Sequence, residues 1–69
     1  MPMSALLNIA VAEPSAIIRS GLEAVLKRIP GFRIQIIEIA TAELLQETLR
    51  SHKPDILIIN PSLPGYYTI

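Results

Sequence analysis

Five stretches of this chain carry a regular pattern of apolar positions, and punctuating residues separate them. Leu6-Leu7-Asn8-Ile9-Ala10-Val11-Ala12 is apolar except at Asn8. A run without alternation suits a strand covered on both faces, hence a central one. Glu13-Pro14-Ser15 ends it, and the Ser15 hydroxyl is placed to cap a helix. From Ala16 to Ile29 the period becomes helical. Ile17, Ile18, Leu22, Val25, Leu26 and Ile29 fall on one stripe and read as core. Glu23 and Lys27 are spaced as a favourable helical ion pair. Gly21 is unfavourable inside a helix, which suggests a close packing contact there. Pro30-Gly31 stops the helix.

Phe32 to Ile39 alternates apolar residues against Arg33 and Gln35 before turning apolar. That pattern predicts a strand with one wetter face, nearer a sheet edge. Thr41 is a second candidate cap, and Glu43 falls in the favourable first turn. The helix that follows buries Ala42, Leu44, Leu45 and Leu49 and gathers Arg50, His52 and Lys53 at its negative end. Pro54 then forbids helix and biases His52 and Lys53 toward extended backbone. Ile56-Leu57-Ile58-Ile59 reads as a buried parallel strand. Asn60 follows at its carboxyl end, where open α/β sheets place their ligand chemistry.

The elements are strands at about 6–12, 32–39 and 55–60 and helices at about 15–29 and 41–52. Strands alternating with single helices imply an α/β fold, a β-α-β-α-β parallel sheet with right-handed crossovers. If the third strand lies at an edge, its apolar run needs a partner, because a bare apolar edge promotes aggregation. The expectation is that the chain continues past residue 69, or that two copies associate through the 55–60 edge.

Composition narrows the picture further. Sixty-nine residues make at most one small domain, and 51% of them are hydrophobic, enough for a core. A chain of this size buries only about 60% of its unfolded surface. Six basic residues balance six acidic ones, so no charge excess points to nucleic acid. There is no Cys, hence no disulfide or thiolate metal site. The apolar runs are too short for a membrane helix, and no basic start marks a secretory signal. A cytoplasmic location is the resulting expectation. No Gly-rich phosphate loop, zinc spacing or nucleophile elbow is present, so the chain is expected not to be an enzyme. The lone histidine, His52, reads as a helix-terminal cation rather than a base. Tyr66 and Tyr67 are candidates for a contact patch or a loose end.

Two segments carry a resemblance. Ala12-Glu13-Pro14-Ser15-Ala16-Ile17-Ile18-Arg19-Ser20-Gly21-Leu22 resembles the A-D-D-H-P-L-V-R-E-G-L stretch of response-regulator receiver domains, especially those preceding a LuxR/NarL-type helix-turn-helix. His52-Lys53-Pro54-Asp55-Ile56-Leu57-Ile58-Ile59-Asn60-Pro61-Ser62-Leu63-Pro64-Gly65 is similar to the same family's H-x-P-D-L-V-L-L-D-L-x-L-P-G. The match runs ungapped over residues 8–65. It implies a flavodoxin-like (receiver) fold of five strands and five helices, of which residues 1–69 supply the first three strands and two helices. It also implies a signalling module of a bacterial transcriptional two-component regulator.

In that family an acidic pair and the aspartate ending the third strand hold Mg²⁺, and the aspartate takes a phosphoryl group from a histidine kinase. Here the acceptor position is Asn60, and a carboxamide is not a carboxylate nucleophile. The acidic pair is Glu13-Pro14, and Pro14 offers no side-chain oxygen for Mg²⁺. The family's Asp-Gly beyond the L-P-G is Tyr67-Thr68. The expectation is a degenerate site at Asn60, Glu13 and Pro14, with no phosphorylation, no cofactor and Mg²⁺ binding weak or lost. Action would be through protein contacts: with a second copy through the 55–60 edge, with a C-terminal half, or with a histidine kinase or output domain. Neither nucleic acid nor membrane is an expected partner of this segment. The alternative is a small α/β ligand-binding or enzymatic domain using the crevice at Glu13 and Asn60.

Overall fold

The computed structural model describes residues 5–66. Five elements follow in order: β1 (Ala5–Ala12), α1 (Ala16–Leu26), β2 (Phe32–Ile39), α2 (Ala42–Ser51) and β3 (Ile56–Ile59). The strands form one parallel sheet in the order β2-β1-β3. This is a parallel β-α-β-α-β domain, consistent with a doubly wound, flavodoxin-like arrangement. The central place falls to β1, and the wetter β2 lies at an edge. The two crossovers leave in opposite directions across the sheet, so right-handed connections put α1 and α2 on opposite faces.

Register assigns the faces. Ala10 pairs with Ile37 and Leu57, and Ala12 pairs with Ile39 and Ile59. Paired residues share a face, because side chains alternate along a strand. That face meets α2: Ala10, Ala12 and Ile39 cluster with Ala42, Leu45 and the loop residue Leu63, with Ile37, Leu57, Ile59 and Tyr66 packed against them. Ile9 and Val11 point the other way and are fully buried outside that cluster, which is where α1 sits.

Both expected caps form. Ser15 Oγ accepts from the Ile18 N–H, and Thr41 Oγ1 accepts from the Leu44 N–H, each at 3.3 Å. Glu43 lies in the first turn of α2 and Arg50 in its last. The loop after β3 also helps start α2, since the Ala42 N–H donates to the Pro64 carbonyl at 3.0 Å. One of the free amides at the helix start is satisfied in this way.

Several sequence expectations are corrected. The helix expected to run to Ile29 ends at Leu26. Arg28 and Ile29 instead make tighter bonds to Val25 and Leu26, as the chain narrows before Pro30. The expected core stripe of α1 is out of phase. No α1 residue is fully buried, Ile17 is 85% exposed, and Ile18 and Val25 are also exposed. The half-buried seam is Arg19, Leu22, Glu23 and Leu26, rotated so that Ile17 lies on the far side. The stripe is wider than this three-stranded sheet covers. On α2, Ala42 and Leu45 are buried but Leu44 and Leu49 are exposed.

Other corrections are local. Glu23 and Lys27 form no ion pair; the pair among the described residues is Arg19–Glu38. Lys53 is not extended but has φ 45°, and His52 is αR. A left-handed residue just past the last helical turn is a common way to end a helix and reverse the chain. Gly21 has nothing within 4 Å of where a Cβ would stand, so close packing does not explain it. Tyr67, Thr68 and Ile69 lie outside the described residues.

Two glycines test this description. Gly21→Ala gains helix propensity without a clash and is expected to raise unfolding stability by about 1 kcal/mol. Gly31 has φ 86° with open space around it. Gly31→Ala is therefore expected to cost about 1 kcal/mol or more, through backbone strain alone. Urea denaturation of both variants checks the pair.

Candidate functional site

The carboxyl ends of β1 and β3 lie side by side, since Ala12 pairs with Ile59. Glu13 and Asn60 are the next residue of each strand, so the sheet itself brings them together. The backbone secures the junction: the Asn60 N–H donates to Ala12 O at 2.9 Å, and the Glu13 N–H donates to Ile39 O at 3.0 Å. All three strand ends are thereby tied within one turn of chain.

The side chains close the arrangement. Glu13 is only 5% exposed and is the one buried charged residue among those described. Its Oε1 accepts from Asn60 Nδ2 at 2.8 Å, and its Oε2 accepts from the Ser15 N–H at 2.7 Å. Asn60 uses its other end on its own loop, where Oδ1 accepts from the Ser62 N–H at 2.9 Å. That is an Asx turn, which shapes Asn60-Pro61-Ser62 as the chain leaves the sheet. The Leu63 N–H then donates to Asn60 O at 3.0 Å, and Leu63 enters the core. The amide of Asn60 thus faces Glu13 with its hydrogens and the loop with its oxygen.

A third residue completes the site. Arg19 Nη1 donates to the Glu13 carbonyl at 2.6 Å, and its Nε donates to Glu38 Oε1 at 2.8 Å. The Arg19 side chain is 14% exposed against 55% for Glu38, so the pair is wet on one side. The sequence pattern assigns neither Arg19 nor Glu38 a role. A signal was present, because Arg19 stands one turn beyond the Ser15 cap and Glu38 is the residue before the end of β2. Only the register, with Glu38 opposite Val11 on the α1 face, makes them neighbours.

Pro14 lies between Glu13 and Ser15 and adds no polar atom. His52 is exposed at the C-cap of α2, away from this junction. No group of three or more His, Cys, Asp or Glu side chains suited to a metal ion occurs among the described residues. An open cleft of about 500 Å³ is lined by Asn8, Gln35, Ile36, Ile37, Glu38, Ser51 and His52; Glu38 is the one residue it shares with the junction, and neither Glu13 nor Asn60 lines it. No helix among the described residues is long and apolar enough to cross a membrane.

The fold and the site define a class: a small parallel α/β domain with a polar junction at the carboxyl ends of its strands. Comparison with protein-family models, with curated proteins and with solved structures returns no match.

The junction makes a sharp prediction. Asn60→Asp replaces an amide donor by a second carboxyl group against the buried Glu13 oxygen. Two carboxylates at this distance repel, so one carboxyl of the pair stays protonated to a higher pH in the folded state than in the unfolded chain. The folded variant then binds more protons than the unfolded one, and its stability falls as pH rises. Asn60→Asp is expected to lose about 2 kcal/mol at neutral pH, including the lost charge-assisted bond, and to regain most of it at acidic pH. Denaturant midpoints across pH check this, with the unsubstituted chain as reference.

Proposed function

We propose that this chain is a receiver-like signalling module of a bacterial response regulator whose site is not phosphorylated, and which acts through protein contacts. One observation carries the reading: the Asn60 amide donates directly to Glu13 at 2.8 Å. In a working receiver this gap between the first and third strands holds a divalent ion and the phosphoryl group. Here a hydrogen bond spans it. The amide hydrogens point at the carboxylate, and the amide oxygen is engaged by Ser62. Mg²⁺ takes oxygen ligands in near-octahedral array and usually one or two carboxylates. Glu13 alone, with Pro14 beside it, does not make that donor set.

The same geometry supports a non-enzymatic role. Glu13 is buried with both oxygens engaged, and no nucleophile is paired with a base at the junction. The apolar residues left exposed on α1 and at β3 support action by contact with protein. The partners proposed are a second copy, a C-terminal half, or a histidine kinase or output domain, in the cytoplasm. Neither nucleic acid nor membrane is proposed as a partner of this segment.

Incubation with a small-molecule phosphodonor and Mg²⁺, followed by intact mass and peptide mapping, tests the reading. The chain is expected to show no phosphoryl adduct at residue 60. The double variant Asn60→Asp with Pro14→Asp restores an acceptor and a second acidic ligand and is expected to gain one. An adduct mapped to Asn60 in the unsubstituted chain contradicts the proposal. So does a double variant that folds and still takes none.

A further inference from the structure

An asparagine side chain can be lost through two reactions of its own chain, and residue 60 is set against both. In the first, the main-chain nitrogen of the next residue attacks Cγ of the side chain. That nitrogen gives up its hydrogen, ammonia leaves, and a five-membered imide closes. Water then opens the imide to aspartate or to its β-linked isomer. In the second, Nδ2 attacks the residue's own main-chain carbonyl carbon and passes a proton to the next residue's nitrogen. That nitrogen leaves as an amine, and the chain is cut.

The first route is closed by covalent structure. Residue 61 is proline, whose nitrogen carries no hydrogen. Attack on Cγ would give that nitrogen a fourth bond and a positive charge that it cannot shed as a proton, so no imide forms. This holds in the folded chain and in the unfolded chain alike.

The second route is opposed by the junction. Nδ2 donates to Glu13 Oε1 at 2.8 Å, and Oδ1 accepts from the Ser62 N–H at 2.9 Å. A carboxylate only accepts and a main-chain N–H only donates, so the two partners fix which end of the amide faces which way. To reach its own carbonyl, the side chain must break both bonds together. Doing so would strip a donor from Glu13, which is only 5% exposed.

Either loss would undo the site. An aspartate at residue 60 sets a second carboxyl group against Glu13. The β-linked isomer adds a main-chain carbon just before the turn that carries Leu63 into the core. Pro61 also has an ordinary structural role. It is second in the turn closed by the Leu63 N–H on Asn60 O, where proline is favoured. A turn former needs the ring, whereas protection of the amide needs only the missing hydrogen, and the two can be separated.

We infer that Pro61 keeps residue 60 an amide for the life of the chain, so that the neutral site does not age into an acidic one. The significance of that permanence rests on the unphosphorylated-receiver reading. The chemistry does not, and it is measured without phosphodonor or metal, so the two fail separately.

Prolonged incubation at mildly alkaline pH and raised temperature tests the inference, with peptide mapping that separates the amide, aspartyl and β-aspartyl forms. The unsubstituted chain is expected to keep the amide at residue 60, in buffer and in guanidinium chloride alike. Pro61→Gly supplies the N–H and is expected to lose most of its amide in guanidinium chloride over the same period. Pro61→N-methylalanine, made by chemical synthesis, lacks both the ring and the hydrogen and is expected to keep it. An aspartyl or β-aspartyl residue 60 in the unsubstituted chain overturns the inference, as does a cut after residue 60 in buffer. So does a Pro61→Gly chain that keeps its amide, or a Pro61→N-methylalanine chain that loses it as fast as Pro61→Gly.

Discussion

A single buried carboxylate joins the parts of this domain that carry its chemistry. Glu13 touches four partners through four different atoms: Ile39 of β2, Ser15 at the start of α1, Asn60 beyond β3, and Arg19 within α1. Burying a charged group is costly unless hydrogen bonds replace its water. Both oxygens here receive a donor at under 3 Å, and no buried side-chain polar atom among the described residues is left without a partner. The first crossover, the third strand and the following loop therefore take positions that depend on one another. Loss of one donor leaves Glu13 partly desolvated, so the effect spreads to every element that meets it.

That junction also explains how the far loop is held. Asn60 sets an Asx turn, the turn directs Leu63 into the α2 face of the core, and Pro64 then satisfies an amide at the start of α2. The amide thus acts in two directions, inward on Glu13 and outward on the loop. On the proposed reading, a direct protein bond takes the place that a bound ion and a phosphoryl group would hold. The loop is thereby held by groups of the protein itself.

The fold was legible in the sequence because its signals were local. Unbroken apolar runs marked the strands, Ser15 and Thr41 marked the helix starts, and the wet face of Phe32–Ile39 marked an edge strand. The approach of Glu13 to Asn60 was legible only through the resemblance, which sets the first and third strands side by side; the element order alone allows other strand orders, and the structure shows β2-β1-β3. Helical phase was not legible. The apolar stripe Ile17, Ile18, Leu22, Val25 and Leu26 of α1 spans a wide arc, and the sequence does not say which part of that arc a narrow sheet covers. The structure chose the side that includes Arg19, which placed a guanidinium beside the ends of β1 and β2. The left-handed Lys53 was hidden for a similar reason. The rule about residues before proline is local, whereas the reversal from α2 into β3 is imposed by packing.

The claim that Glu13 and Asn60 hold the strand ends together is a claim about coupling. A double-mutant cycle of Glu13→Ala and Asn60→Ala, read by urea denaturation at neutral pH, measures it without reference to any partner or ligand. A charge-assisted bond in a buried setting predicts a coupling of about 1.5–3 kcal/mol, with the second substitution costing far less once the first is made. Effects that add to within about 0.5 kcal/mol would mean that the two residues stand side by side without supporting one another.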